Sequence, residues 1–176
     1  FLHKICKEIN YPLLPPVATQ LSQSYYCIDP KFNHLRVPLL ESQFLLHIPD
    51  LYHELAHPII EASYDPGVAP FRQQLVLFLR FVQRHFIQKI QSQNNLGLDD
   101  EVSYLEVLKE SWIAEGWAFE FFCDLFGIYT VGPAFAWAHL HLSIKRGEDP
   151  FETPEFLPTS HPADNARMEM MLIGLD

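Results

Sequence analysis

The sequence predicts a mainly α fold (α+β) in one domain, with a small edge of β-strand at most. Three observations predict it. Apolar residues recur at spacings of three and four along most of the 176 residues, the period that lines one face of a helix. Breaks at Asp65-Pro66-Gly67, Asn94-Asn95-Leu96-Gly97 and the prolines from Pro150 to Pro162 divide the chain into helix-length pieces. Only one stretch, Phe32 to Leu40, has the brief alternating, β-branched character of a strand.

Taken in order, Leu2, Ile5, Cys6 and Ile9 share a helical face, and Pro12, Pro15 and Pro16 forbid its continuation, so a short first helix ends near residue 10. Phe32 to Leu40 (FNHLRVPLL) is an edge strand at best, because Pro38 has no N–H to give a central ladder. The helical pattern resumes at Ser42, and Pro49-Asp50 marks a helix start. Beyond the break at residues 65 to 67, Leu75, Phe78, Leu79, Val82, Phe86 and Ile90 define a long amphipathic helix over Phe71 to Gln91. Asp99 or Asp100 caps the next, which runs to about Phe126 and tolerates Gly116. A helix over Pro133 to Lys145, an extended proline-rich loop over Glu148 to His161 and a helix over Ala163 to Ile173 complete the chain.

Hydrophobic residues make up 48% of the chain, enough for one core at this length. Twelve basic against 22 acidic residues give a formal charge of −10, and the basic residues are scattered, which argues against a nucleic-acid partner. Cys6, Cys27 and Cys123 are far apart, odd in number and set among apolar neighbours, which fits reduced, mostly buried thiols and a cytoplasmic location. No apolar run reaches the roughly 18 residues of a membrane span, and the polar start FLHKICKEIN is no signal peptide. The chain starts without Met, as expected of a piece of a longer protein.

The stretch LYHELAHP, Leu51 to Pro58, carries the first chemical signal. Residues four apart on a helix are neighbours, so His53 and His57 can aim both imidazoles at one Zn2+ ion, with Zn–N bonds of about 2.0 to 2.1 Å. Glu54 then faces water on that ion, which zinc acidifies towards a pKa of about 7, and serves as general base. The alternative is a pair of ordinary histidines on an amphipathic helix. Pro58 removes the hydrogen bond to the Glu54 carbonyl but spares the one that spans the two histidines, so it predicts a bend or a helix end just beyond an intact motif.

A catalytic zinc site needs a third protein ligand and an open position. WAFEFFCD, Trp117 to Asp124, sets Glu120 and Asp124 four apart among aromatics. Coordination by Glu120, and a hydrogen bond from a ligand imidazole to Asp124, would satisfy two carboxylates that are costly to bury alone. Ordinary salt bridges or solvent exposure are the competing explanation, and Glu61 and Glu115 are weaker ligand candidates. His139 and His141 are two apart on a helix, cannot share a face, and read as packing or surface residues, while Phe119, Phe121, Phe122 and Phe126 read as core.

HELAH, then Glu120 and Asp124 in an ExxxD spacing, then HPxxxxR in SHPADNAR (Ser160 to Arg167), occur in that order over residues 53 to 167. Together they resemble the gluzincin zinc metallopeptidases, most closely the family of HtpX and the CAAX prenyl protease. The resemblance implies one zincin-like catalytic domain over residues 1–176, acting on a peptide or protein substrate. It implies Glu120 as third zinc ligand, Asp124 as orienter of a ligand histidine, His161 as stabiliser of the oxyanion, and Arg167 as support for that corner. It also implies that Asn33 to Leu39 is the strand edge on which substrate aligns. Members of this family commonly carry transmembrane helices and none is visible here, so this would be a soluble form or the catalytic part of a longer chain.

Two rival functions stand beside the peptidase. One is an inactive metallopeptidase-like domain that keeps a structural zinc and serves as an interaction module, against which the presence of Glu54 argues. The other is a metal-free helical domain that binds a partner through its aromatic surface.

Overall fold

Helix α4, Glu101–Val131, is the element against which α2 (Ile48–Glu61), α3 (Ala69–Asn94), α5 (Pro133–Arg146) and α6 (Asp164–Leu175) all pack. The computed structural model describes residues 1–22, 26–38, 47–62, 65–94, 101–147, 149–152 and 161–176. A short α1, Leu2–Glu8, and three strands, β1 (Val17–Ser22), β2 (Cys27–Asp29) and β3 (His34–Pro38), precede α2. The architecture is thus mainly helical with a small sheet, and among the described residues no helix is long and apolar enough to cross a membrane. The helix start expected at Ser42, the loop at residues 95–97, the caps Asp99 and Asp100, and most of the proline-rich loop lie outside the described residues.

The helices follow the predicted order, with two differences. The fourth runs five residues beyond Phe126, to Val131, where Gly132 (φ 62°) turns the chain and Pro133 opens α5. Gly132 takes a backbone conformation that side chains with a Cβ resist, and Gly147 (φ 69°) closes α5 in the same left-handed region. The second difference is Pro58, which neither ends α2 at once nor displaces the motif: the helix continues to Glu61, held by the Ala62 N–H on the Pro58 carbonyl at 2.8 Å. An internal proline costs about 3 kcal/mol. Burial of Ile59 and Ile60, 5% and 3% exposed, contributes about 1.5 to 3 kcal/mol each and outweighs it.

The sheet corrects the expectation of a single edge strand. Its order is β1-β3-β2, with β1 parallel and β2 antiparallel to β3, so β3 is central. Pro38 is tolerated because it is the last residue of β3. Asn33, at φ 48°, starts the strand and donates to the Leu14 and Pro15 carbonyls at 3.1 and 3.3 Å, fixing the register against β1. With both sides of β3 paired, His34–Pro38 cannot be the edge that accepts another strand, and Leu39 lies outside the described residues. Among the described residues the free edge next to α2 belongs to β2, whose Ile28 N–H points away from β3.

The core is continuous across these layers. Ile5, Cys6, Ile28, Leu35, Leu51 and Leu55 fill the space between α1, the sheet and α2. Ala56, Ile60 and Cys123 join α2 to α4, with Phe71, Phe119, Phe122 and Phe126 packed around them, and the Phe71 and Phe122 rings stand 4.4 Å apart. Phe119, Phe122 and Phe126 are thus partly buried and packed against the core, in line with the expectation that they are core residues, whereas Phe121, also partly buried, joins none of these clusters. All three cysteines are free, Cys6 and Cys123 buried and Cys27 exposed.

Candidate metal centre

The second turn of α2 brings His53 to the α4 face that carries Glu120, Cys123 and Asp124, residues spaced so that all three side chains lie on one side of α4. His53 Nδ1 lies 2.9 Å from Asp124 Oδ1, and His53 Nε2 lies 3.3 Å from Glu120 Oε2. His57 Nε2 stands 3.9 Å from Glu120 Oε1, and His161 Nε2 stands 3.8 Å from Glu120 Oε2. Three imidazoles from two parts of the chain thus converge on one buried carboxylate. Glu61 and Glu115 are exposed and do not join them.

Asp124 is fully buried and shares its oxygens between His53 and Arg167, whose Nε and NH2 donate at 2.8 and 2.5 Å. Arg167 therefore acts on the centre through Asp124. The guanidinium and the imidazole hold the Asp124 carboxyl well below the ordinary carboxylate range although burial opposes it. A carboxylate accepting at Nδ1 keeps a proton there and turns Nε2 towards Glu120, where a metal ion would take the place of the second proton. Phe135 of α5 stacks on the same ring at 6.3 Å and 6°.

Cys123 lies behind the second imidazole as Asp124 lies behind the first, with its Sγ 3.6 Å from His57 Nδ1. His53, His57 and Cys123 can bring one ligand atom each within 4.8 Å of one another, so a His-His-Cys set competes with one in which Glu120 is the third ligand. Charge chemistry favours the second. Burial, with the nearby carboxylates of Glu120, Asp124 and Glu54, pushes the Cys123 thiol well above its ordinary pKa, against the thiolate that metals bind. Glu120 is already anionic: burial works against it, but hydrogen bonding and charge from His53 hold it at about 2.

The charge balance of the metal-free chain is informative. His53 is held at about 10, since Asp124 and Glu120 more than offset its burial, while burial and the charge on His53 bring His57 down to about 4. One imidazolium then neutralises Glu120. Even so, Glu120 Oε2 is buried and meets His53 Nε2 only as an ion pair at 3.3 Å, outside good hydrogen-bond geometry. Two ligand atoms of one tetrahedral ion with bonds of about 2.0 to 2.2 Å lie about 3.3 Å apart, which is the His53–Glu120 separation. His57 Nε2, 3.9 Å from Glu120 Oε1, lies a little farther out, and His53, His57 and Glu120 could together hold a divalent cation.

Glu54 faces the same cleft, which is also lined by Tyr26, Asp50, Phe135, His139, Leu142, Arg146, His161 and Arg167. Burial pushes its carboxyl up to about 7, and its Oε2 accepts the Ile28 N–H from the β2 edge at 2.9 Å. Residues 135, 139, 142 and 146 follow helical spacing, so one face of α5 forms a wall of the cleft. His139 is packed, as expected, but it also lines this wall, 3.4 Å from Asp164, which pairs with Arg146 at 3.0 and 3.1 Å. The spacing in AWAHLHL carried that signal, although not which helix face meets the cleft. No protein-family model, curated protein or solved structure matches this chain.

Proposed function

We propose that this chain is a zinc-dependent peptidase of gluzincin type, with the zincin-like domain and motif order that resemble HtpX and the CAAX prenyl protease. The observation that carries the reading is the convergence of His53, His57 and His161 on the buried Glu120 carboxylate, whose oxygens lie 3.3 to 3.9 Å from their Nε2 atoms. A buried carboxylate oxygen in that setting calls for a cation. His53, His57 and Glu120 would hold zinc, Asp124 and Cys123 would orient the two imidazoles, and Arg167 would hold Asp124.

Bound there, zinc would supply Lewis acidity towards water and the scissile carbonyl. Glu54 is the base. A carboxyl poised near 7 in the cleft takes the proton of the attacking water and passes it to the departing amine nitrogen. His161, half-exposed at the cleft mouth, donates its N–H to the carbonyl oxygen as that atom gains charge. The substrate backbone extends the sheet at β2, where the Ile28 N–H now held by Glu54 becomes a donor to a substrate carbonyl. Three free cysteines fit a reducing, cytoplasmic setting.

A second reading has a specific observation behind it: the His53, His57 and Cys123 set would hold a structural metal in a domain that binds partners without hydrolysis. Glu54→Gln separates the two. In the peptidase it retains zinc, measured by elemental mass spectrometry, and loses peptide hydrolysis by a factor of about 100 or more. Hydrolysis that survives the substitution, or a chain that takes up no zinc, would remove the peptidase reading.

A further inference from the structure

Outside the cleft, the outer face of α3 carries a surface that the peptidase reading does not use. Leu77, Phe78 and Phe81 are 56%, 52% and 69% exposed. Phe81 lies four residues from Leu77 and three from Phe78 and so adjoins both on the helix, and Arg80 and Arg84 stand three residues beyond Leu77 and Phe81. Both arginines are exposed and make no ion pair among the described residues. A shallow hollow lined by Ala69, Arg72, Gln73, Val76 and Leu77 lies next to them on the same helix. From Ala69 to Asn94 the helix has Arg72, Arg80, Arg84 and Lys89 and not one acidic residue, in a chain with 22 acids and a net charge of −10.

We propose that this face of α3 is a docking surface for an anionic lipid membrane, with Leu77, Phe78 and Phe81 seated at the boundary of headgroups and acyl chains and Arg80 and Arg84 on lipid phosphates or carboxylates. Apolar rings standing among cations on the outer side of one helix are the pattern of an interfacial helix, which sinks about 5 to 10 Å and binds without crossing. The acidic remainder of the chain does not forbid this, because charges beyond about 8 Å are largely screened at physiological salt. A second copy of this chain is a poorer occupant: helix against helix would bring Arg80 and Arg84 of one copy against those of the other. The proposal is independent of the peptidase reading.

Flotation of the protein with phosphatidylcholine vesicles, with and without phosphatidylserine, tests it. Binding to the phosphatidylserine vesicles is expected to be roughly tenfold or more tighter and to weaken with salt. Arg80→Gln with Arg84→Gln should abolish that preference, and Leu77→Gln with Phe81→Gln should abolish binding. All four residues are exposed, so folding is expected to persist; should the helical circular dichroism of the second variant fall, Phe81→Gln alone takes its place. Absence of binding to phosphatidylserine vesicles, or binding unchanged in both variants, overturns the proposal. So does a dimer in analytical ultracentrifugation that Leu77→Gln with Phe81→Gln dissociates while vesicles are ignored, which gives the face to a second copy. Retention on polyglutamate beads without vesicle binding overturns it in favour of an acidic protein.

Discussion

Asp124 Oδ1 stands 2.9 Å behind His53 Nδ1, and this one contact from α4 to α2 sets which nitrogen of the imidazole faces Glu120. The aspartate is itself fixed by Arg167, so a residue of α6 governs the orientation of a histidine on α2.

Replacing Asp124 by Ala should therefore act twice. It leaves the buried Arg167 guanidinium without its partner, a loss of about 3 to 5 kcal/mol of stability, measurable by urea unfolding of the metal-free protein. It should also weaken zinc binding by a factor of about 10 to 100 in a chelator competition. A variant as stable as the parent would contradict the buried pair.

Glu120 and Cys123 make opposite predictions for metal content. Glu120→Ala should reduce zinc per chain severely, whereas Cys123→Ser should keep it, because its thiol lies at His57 Nδ1 and resists ionisation. Elemental mass spectrometry on both proteins decides; the reverse order would assign the centre to the His-His-Cys set.

Gly127 is a packing constraint on the site. A Cβ there would meet the Phe135 ring at 2.7 to 2.8 Å, and Phe135 is the ring stacked on His53. Gly127→Ala should cost about 1 to 3 kcal/mol and loosen zinc binding as Phe135 is displaced. Thermal unfolding with and without excess zinc would show both effects; an unchanged melting temperature would mean that the ring moves freely.

Alkaline pH should expose the role of Tyr11, whose hydroxyl donates to the Leu55 carbonyl at 2.8 Å. Burial raises its pKa above the ordinary tyrosine value. Above about pH 10 the unfolded chain releases this proton while the folded chain keeps it, so the unfolded state binds fewer protons and stability falls as pH rises. Tyr11→Phe should lose about 1 kcal/mol near neutrality and show a shallower alkaline decline, both read from urea unfolding across that range. Parallel pH profiles for the two proteins would refute the assignment.

Much of this molecule is legible in its sequence because the information is local. Apolar periods and Pro/Gly punctuation fix α1, α3, α5 and α6 to within a few residues, and the four-residue spacings of His53 with His57 and Glu120 with Asp124 place each pair on one helix face. The sheet was less legible. β1 and β2 are short and weakly patterned, and the central position of β3 depends on partners outside its own residues.

The sequence by itself determined the helices and the chemistry available on each. Only the tertiary structure decided which faces meet: that Cys123 lies behind His57, that Phe135 stacks on His53, that Arg167 acts through Asp124, and that Ile28 reaches Glu54. The physical reason is range. Helical periodicity fixes the direction of a side chain relative to its own axis, whereas contacts between residues 26 to 71 positions apart, as with Ile28–Glu54 and His53–Asp124, exist only once the buried faces of several elements have packed around α4.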